Sequence, residues 1–137
     1  MYDQSEVDIL LIEDNPHDAE LATMSIRLVR EDLKIVRCMD GEEAIEYIDN
    51  INGHLPKLIL LDIKLPKVDG LEVLGKVKDF MRIKKIPVVI FTSSQLPADI
   101  NLGKKLGADE YIVKPMQLPD FRREIRHVVE KYFGHPN

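Results

Sequence analysis

The chain has no tryptophan, one cysteine and no long apolar run. Each shortage excludes something. Cys38 alone can form neither an internal disulfide nor a cysteine-based zinc site, so a reducing cytoplasm is the default compartment. Apolar runs such as Ile9–Ile12 and Leu58–Leu61 are four residues long. A membrane span needs about 20, so no membrane association is expected. Basic residues are outnumbered: Lys plus Arg is 19 against 24 for Asp plus Glu, a formal net charge of −5. Direct nucleic-acid binding needs a basic surplus on one face and is not expected either. The N-terminal stretch carries Asp3, Glu6 and Asp8, not the basic and then apolar segments of a secretory signal. The histidines, His17, His54, His127 and His135, are scattered without metal-ligand spacing.

What is present suits one core. A length of 137 residues, 45% of them apolar, fits one domain over 1–137 with its core at about 7–133 and no attached effector domain. Two kinds of segment alternate. Short apolar runs occur at Asp8–Ile12, Leu33–Cys38, Leu58–Leu61, Pro87–Phe91 and Tyr111–Val113. They lack polar alternation, the pattern of strands buried on both faces of a parallel sheet. Between them lie helical periods: Ala19, Ala22, Ile26 and Val29 share one face, and Phe121, Ile125, Val128 and Tyr132 another. Pro16 suits a first helical turn. Asp40 with Glu43, and Asp69 with Glu72, read as N-caps with an acidic partner. Asn52-Gly53, Gly107 and Gly134 fall where helices should stop. The expectation is an α/β protein of five βα units, with one open parallel sheet and helices on both faces.

In such a sheet ligands bind outside the carboxyl ends of the strands. The residues after the runs are therefore the informative ones. The first run ends in Glu13-Asp14, the third in Asp62, the fourth in Thr92-Ser93-Ser94 and the fifth in Lys114-Pro115. The second ends at Cys38-Met39 with no such group. Neighbouring strands lie about 4.8 Å apart. Adjacent first and third strands would bring Glu13, Asp14 and Asp62 within a few ångströms, where like charges need compensation. A hard divalent cation supplies it. Mg²⁺ prefers carboxylate oxygens and keeps open positions, which phosphoryl oxygens could fill. Lys114 would add a second positive charge and Thr92 a hydrogen bond, the electrostatics of phosphoryl transfer. A carboxylate can itself accept the phosphoryl group as an acyl phosphate. Asp62 stands alone and suits that role, while the paired Glu13 and Asp14 suit the metal.

These residues resemble a known family. Glu13-Asp14, Asp62, Thr92 and Lys114-Pro115 lie within LLIEDNPHDAEL, LILLDIKLPKVDGLEVL, IPVVIFTSSQ and GADEYIVKP. In this order and spacing they are similar to the receiver domain of two-component response regulators, CheY-like and of the stand-alone type that serves phytochrome-type and other sensor histidine kinases. The likeness spans about Val7 to Tyr132. It implies a flavodoxin-like three-layer (βα)5 sandwich with strand order 2-1-3-4-5. It implies transfer from a kinase histidine to Asp62, and Mg²⁺ held by Asp14, Asp62 and the Lys64 backbone carbonyl, with Glu13 acting directly or through water. Lys114 would pair with the phosphoryl oxygens. Thr92 would bond one of them and, with Tyr111, form the switch. The Lys114–Pro115 peptide would be cis. Lys64 and Ser94 stand at positions that tune the phosphoryl lifetime.

The implied role is a phosphorylation-switched module and not an enzyme in its own right. Its surface of fourth helix, fifth strand and fifth helix would bind a downstream protein or a second copy, or the phosphoryl group would pass to a histidine phosphotransfer protein. Arg122, Arg123 and Arg126 read as the solvated face of the last helix. A phosphatase of the haloacid dehalogenase type would need a second Asp where Lys64 stands. A dinucleotide-binding protein would need a G-x-G-x-x-G after the first strand, which is absent. A receiver-like interaction module that is never phosphorylated is disfavoured by the intact polar set.

Overall fold

Residue parity along each strand decides which layer a side chain joins. In β1 (Ile9–Ile12), Ile9 and Leu11 face one side of the sheet and Leu10 and Ile12 the other. The same division holds in β3 (Leu58–Leu61) and β4 (Val88–Thr92). The strands β2 (Ile35–Cys38) and β5 (Glu110–Val113) complete a parallel sheet in the order β2-β1-β3-β4-β5. The structure, a computed structural model, describes residues 6–51, 54–80 and 83–135. The expected Asn52-Gly53 turn lies outside these.

Five helices alternate with the strands: α1 (Pro16–Val29), α2 (Gly41–Asp49), α3 (Gly70–Asp79), α4 (Pro97–Lys105) and α5 (Leu118–Phe133). On one face α1 and α5 bury Ala19, Ala22 and Ile26 with Phe121, Ile125 and Val128 against Leu11, Leu60 and Phe91. Phe121 meets Phe91 edge-on at 5.0 Å, worth about 0.5–1.5 kcal/mol beyond the area buried. On the other face Ile48 of α2 and Val73, Leu74 and Val77 of α3 cover Ile12, Ile59 and Ile90. The helical periods in the sequence are thus the buried stripes, with Val29 and Tyr132 at their half-buried margins.

Helix ends follow their residues. The Asn15 side chain caps α1 by accepting from the Asp18 amide, with Pro16 in the first turn. Asp40 accepts from the Glu43 amide at 2.7 Å, and the Glu43 carboxylate accepts from the Met39 amide. Asp69 caps α3 through the Leu71 amide. Gly107 and Gly134 follow α4 and α5 with φ of +101° and +76°, angles that disfavour residues with a Cβ.

The expectation that all five strands are buried on both faces needs correction at the edges. β1, β3 and β4 are buried throughout. β2 and β5 are mostly half-buried, because an edge strand has one neighbour and its outer side meets solvent. That is where Arg37 and Glu110 are accommodated.

Two glycines of α3 separate packing from propensity. A Cβ on Gly70 would lie 2.5 Å from the Asp62 carbonyl oxygen and 2.4 Å from the Ile63 Cα. A Cβ on Gly75 would meet nothing within 4 Å. Gly75→Ala is therefore expected to stabilise the fold by about 0.5–1 kcal/mol and Gly70→Ala to destabilise it by about 1–3 kcal/mol. Urea unfolding of the two variants checks both signs.

Candidate functional site

The register of the sheet assembles the site. Ile12 pairs with Leu61, so Glu13 and Asp62, each one residue on, leave adjacent strands side by side. Thr92, the last residue of β4, pairs with Val113 of β5, and Lys114 follows. Candidate groups from four strand ends thereby meet at one edge, as the sequence predicted. Oxygens of Glu13, Asp14 and Asp62 lie within 4.8 Å of one another.

Lys114 occupies the centre. Its Nζ lies 2.7 Å from Glu13 Oε1, 2.9 Å from Asp62 Oδ2 and 2.9 Å from Asp18 Oδ2. The lysine side chain is 9% exposed, and those of Glu13 and Asp62 are 4% and 5%. The other oxygen of Asp62 is bound too. Oδ1 accepts from Thr92 Oγ1 at 2.7 Å and from the Lys64 amide at 2.9 Å. Asp14 is half-buried and lines a cleft of about 580 Å³ with Lys64, Asp69 and Asp99.

Burial raises the Glu13 carboxyl from 4.5 to about 7, and the nearby Asp62 charge pushes the same way against the pull of Lys114. Burial would lower the Lys114 ammonium, but Glu13, Asp18 and Asp62 outweigh it and hold its pKa above the ordinary lysine value. Burial pushes the Cys38 thiol up to about 12, as expected of a small apolar side chain.

The donor set fits a hard divalent cation. It offers carboxylate oxygens from two adjacent loops, opening onto a polar cleft. Glu13, Asp14 and Asp62 are the residues that could hold it. Lys64 is exposed, with its amide committed to Asp62.

Tyr111 donates its hydroxyl to the Ser94 carbonyl at 2.9 Å, and its ring lies beside Gly103 of α4. Arg122, Arg123 and Arg126 are exposed on α5. One expectation fails: the Lys114–Pro115 peptide is trans. The Lys114 amide donates to the Thr92 carbonyl at 2.7 Å, and its ammonium reaches the carboxylates from that position. Trans is the ordinary form of an X–Pro bond, favoured by about 0.5–1 kcal/mol.

Three residues in contact with the site escaped the sequence reading. Asp18, like Asp62, lies 2.9 Å from Lys114 Nζ, a carboxylate delivered by α1 and not by a strand end; its place in the first turn after the acidic pair was the available signal. Arg37 of β2 donates to the Glu13 carbonyl at 3.0 Å and the Asp14 carbonyl at 3.2 Å, clamping the acidic loop. A charge within an apolar run was its signal. Asp99, in the first turn of α4, accepts from Ser94 Oγ, and no spacing rule pointed to it.

The family described as "Response regulator receiver domain" matches residues 9–126, and the chain belongs to it. The probable methanogenesis regulatory protein FilR2 of Methanothrix harundinacea is 34% identical over 129 residues, covering 92% of this chain and 83% of that one. The crystal structure of the phosphorylated cyanobacterial phytochrome response regulator RcpA superposes with a TM-score of 0.87 at 32% identity, covering 93% and 94%. That of the Mn²⁺-bound form of the response regulator Rcp1 does so with a TM-score of 0.86 at 29% identity, covering 97% and 100%. Rcp1 of Synechocystis sp. is also a sequence relative, 32% identical over 124 residues, covering 88% of this chain and 84% of that one.

The Glu13 shift has a consequence for stability. A carboxyl whose pKa is raised in the fold binds its proton more tightly there than in the unfolded chain. Its contribution is fully present below pH 4.5 and is lost as pH rises to about 7. Metal-free protein is therefore expected to lose up to about 3 kcal/mol over this range, and Glu13→Gln to abolish that part of the slope. Urea unfolding at pH 4.5 and 8 in a chelator measures it.

Proposed function

We propose that this receiver domain accepts a phosphoryl group on Asp62 from a sensor histidine kinase, in a Mg²⁺-dependent reaction, and thereby switches a protein-binding surface. The observation that carries the reading is the setting of Asp62. It is a buried carboxylate with Thr92, Lys64 and Lys114 on its oxygens, beside two further acids and an open cleft.

The chemistry follows from that setting. An Asp62 oxygen attacks the phosphorus of a phosphohistidine. The P–O bond forms as the P–N bond breaks, and the leaving ring nitrogen regains a proton. Lys114, already 2.9 Å from Asp62, faces the negative charge that develops on the phosphoryl oxygens. The Thr92 hydroxyl gives up Asp62 Oδ1 and donates to a phosphoryl oxygen. Bound Mg²⁺, on Asp14, Asp62 and the Lys64 carbonyl with Glu13 direct or through water, would neutralise the acids and the incoming phosphate. Lys64 stands at the cleft mouth, where it controls the approach of water to the acyl phosphate.

The donor's approach has a suitable rim. Beside Lys114 an apolar cleft of about 510 Å³ is lined by His17, Leu21, Met116, Leu118 and Phe121. Met116 is 98% exposed, and an apolar surface around a kinase histidine would cover it. The output surface is α4–β5–α5, biased through Thr92 and Tyr111. A downstream protein, a second copy or a histidine phosphotransfer protein would read it. In this reading the receiver is a phosphoacceptor module and not an enzyme, and it works in the cytoplasm, where the kinase would meet it. Separately, no described helix is long and apolar enough to cross a membrane.

Intact mass after incubation with acetyl phosphate tests the core of the proposal. The wild type is expected to gain one phosphoryl group only with Mg²⁺, and Asp62→Asn none. A wild type that gains nothing and binds neither Mg²⁺ nor beryllofluoride would leave a constitutive interaction module. Lys64→Ala is expected to change the decay rate of the phosphorylated form; an unchanged rate removes Lys64 from the control of lifetime.

A further inference from the structure

The segment between β4 and α4 is short of ordinary anchors. The N-cap residue of α4 is Leu96, which offers no side-chain hydrogen bond to the first turn. Ser94, two residues earlier, is instead held from every side. Its Oγ donates to Asp99 Oδ2 at 2.5 Å, in the range of charge-assisted O–H···O bonds. The same Oγ accepts from the Leu96 amide at 3.3 Å. Its carbonyl accepts from Tyr111 at 2.9 Å. Its amide lies 3.4 Å from Thr92 Oγ1, the hydroxyl that donates to Asp62. Ser94 is 4% exposed and Thr92 0%. A continuous chain of hydrogen bonds therefore runs from the first turn of α4 to the phosphoacceptor: Asp99, Ser94, Thr92, Asp62.

We infer that Asp99 is a positioning residue for the Asp62 site, acting through Ser94 to hold the Thr92 hydroxyl where it meets the group bound to Asp62. The inference rests on the reading of Asp62 as phosphoacceptor and Thr92 as its hydrogen-bond donor. Neither Asp99 nor Ser94 bonds Asp62. Without the Asp99 carboxylate, Ser94 Oγ loses its acceptor within the fold and turns toward solvent. The loop then loses one of the bonds that fix it, and Thr92 loses the amide that orients its oxygen. An asparagine at 99 keeps an acceptor oxygen in the same place and should keep the latch.

Capping of α4 by the Ser94–Asp99 pair is the competing role. It predicts lower thermal stability and nothing at Asp62. The two roles separate through Thr92. Beryllofluoride with Mg²⁺ is the probe, because its beryllium bonds a carboxylate oxygen and its fluorines stand where phosphoryl oxygens would. Its affinity would be titrated, at a temperature well below every melting midpoint, for wild type, Asp99→Ala, Asp99→Asn, Thr92→Ala and the Asp99→Ala/Thr92→Ala double variant. Asp99→Ala is expected to weaken binding about tenfold, one decade being about 1.4 kcal/mol. Asp99→Asn should stay within about threefold of wild type, the double variant should match Thr92→Ala alone, and Ser94→Ala should reproduce Asp99→Ala. The Ser94→Ala and Asp99→Asn proteins carry the test if Asp99→Ala does not fold. Wild-type affinity in Asp99→Ala, or an undiminished Asp99 effect in the Thr92→Ala background, overturns the inference alone. A wild type that binds no beryllofluoride and gains no phosphoryl group from acetyl phosphate overturns the phosphoacceptor reading, and this inference with it.

Discussion

The Lys114 ammonium, within 2.9 Å of carboxylates from Glu13, Asp18 and Asp62, is the contact on which the rest of the site depends. Buried carboxylates at the edge of a sheet are costly: each loses water, and each repels its neighbours. A single buried cation answers several of them at once. The arrangement also explains why the lysine belongs at the end of β5 and not on a flexible loop. Its amide is fixed by Thr92 across the last rung of the sheet, so its long side chain needs only to extend toward β1 and β3. The compensation is incomplete: burial first, and the Asp62 charge after it, raise the Glu13 carboxyl despite Lys114. Carboxylates facing an open cleft are what a divalent cation would neutralise, and that cation together with Lys114 is what an incoming phosphoryl group would need.

Around this centre the two sides of Asp62 are held by different kinds of contact. The acids sit on the ends of β1 and β3, strands buried throughout, and the Arg37 guanidinium fixes the carbonyls of the acidic loop from the neighbouring edge strand. Gly70 lets α3 approach the backbone of Asp62 and Ile63 more closely than any side chain would allow. The other side of Asp62 is different. Thr92, Ser94 and Tyr111 are joined by side-chain bonds across a short bend between β4 and α4. Such bonds can be exchanged at little cost to the core. Under the proposed function, a charge change at Asp62 would reach these residues first, with α4 and β5 next in line.

The relatives share the fold over nearly the whole chain. The bonds from Arg37 and Asp99 are visible in the structure and not in the sequence.

Much was legible in the sequence by itself, for a physical reason in each case. Central strands of a parallel sheet must be continuously apolar, so Ile9–Ile12, Leu58–Leu61 and Val88–Phe91 announced themselves. Helices covering them must show a stripe, as Phe121, Ile125 and Val128 do. Strand ends collect ligand-facing groups, which pointed to Glu13, Asp14, Asp62, Thr92 and Lys114. Residues at edges and on helices escaped the same rules. Half-buried β2 and β5 tolerate Arg37 and Glu110, so their patterns are weaker. The Lys114–Pro115 bond is trans, the ordinary form before proline, and the dipeptide itself carries no signal for the rarer one. Asp18 and Asp99 open helices, where an acid is ordinarily a cap or a favourable charge near the helix dipole. Only the tertiary structure decided that one faces Lys114 and the other holds Ser94, because both contacts depend on how helices lie against a sheet, and sequence spacing carries no measure of that.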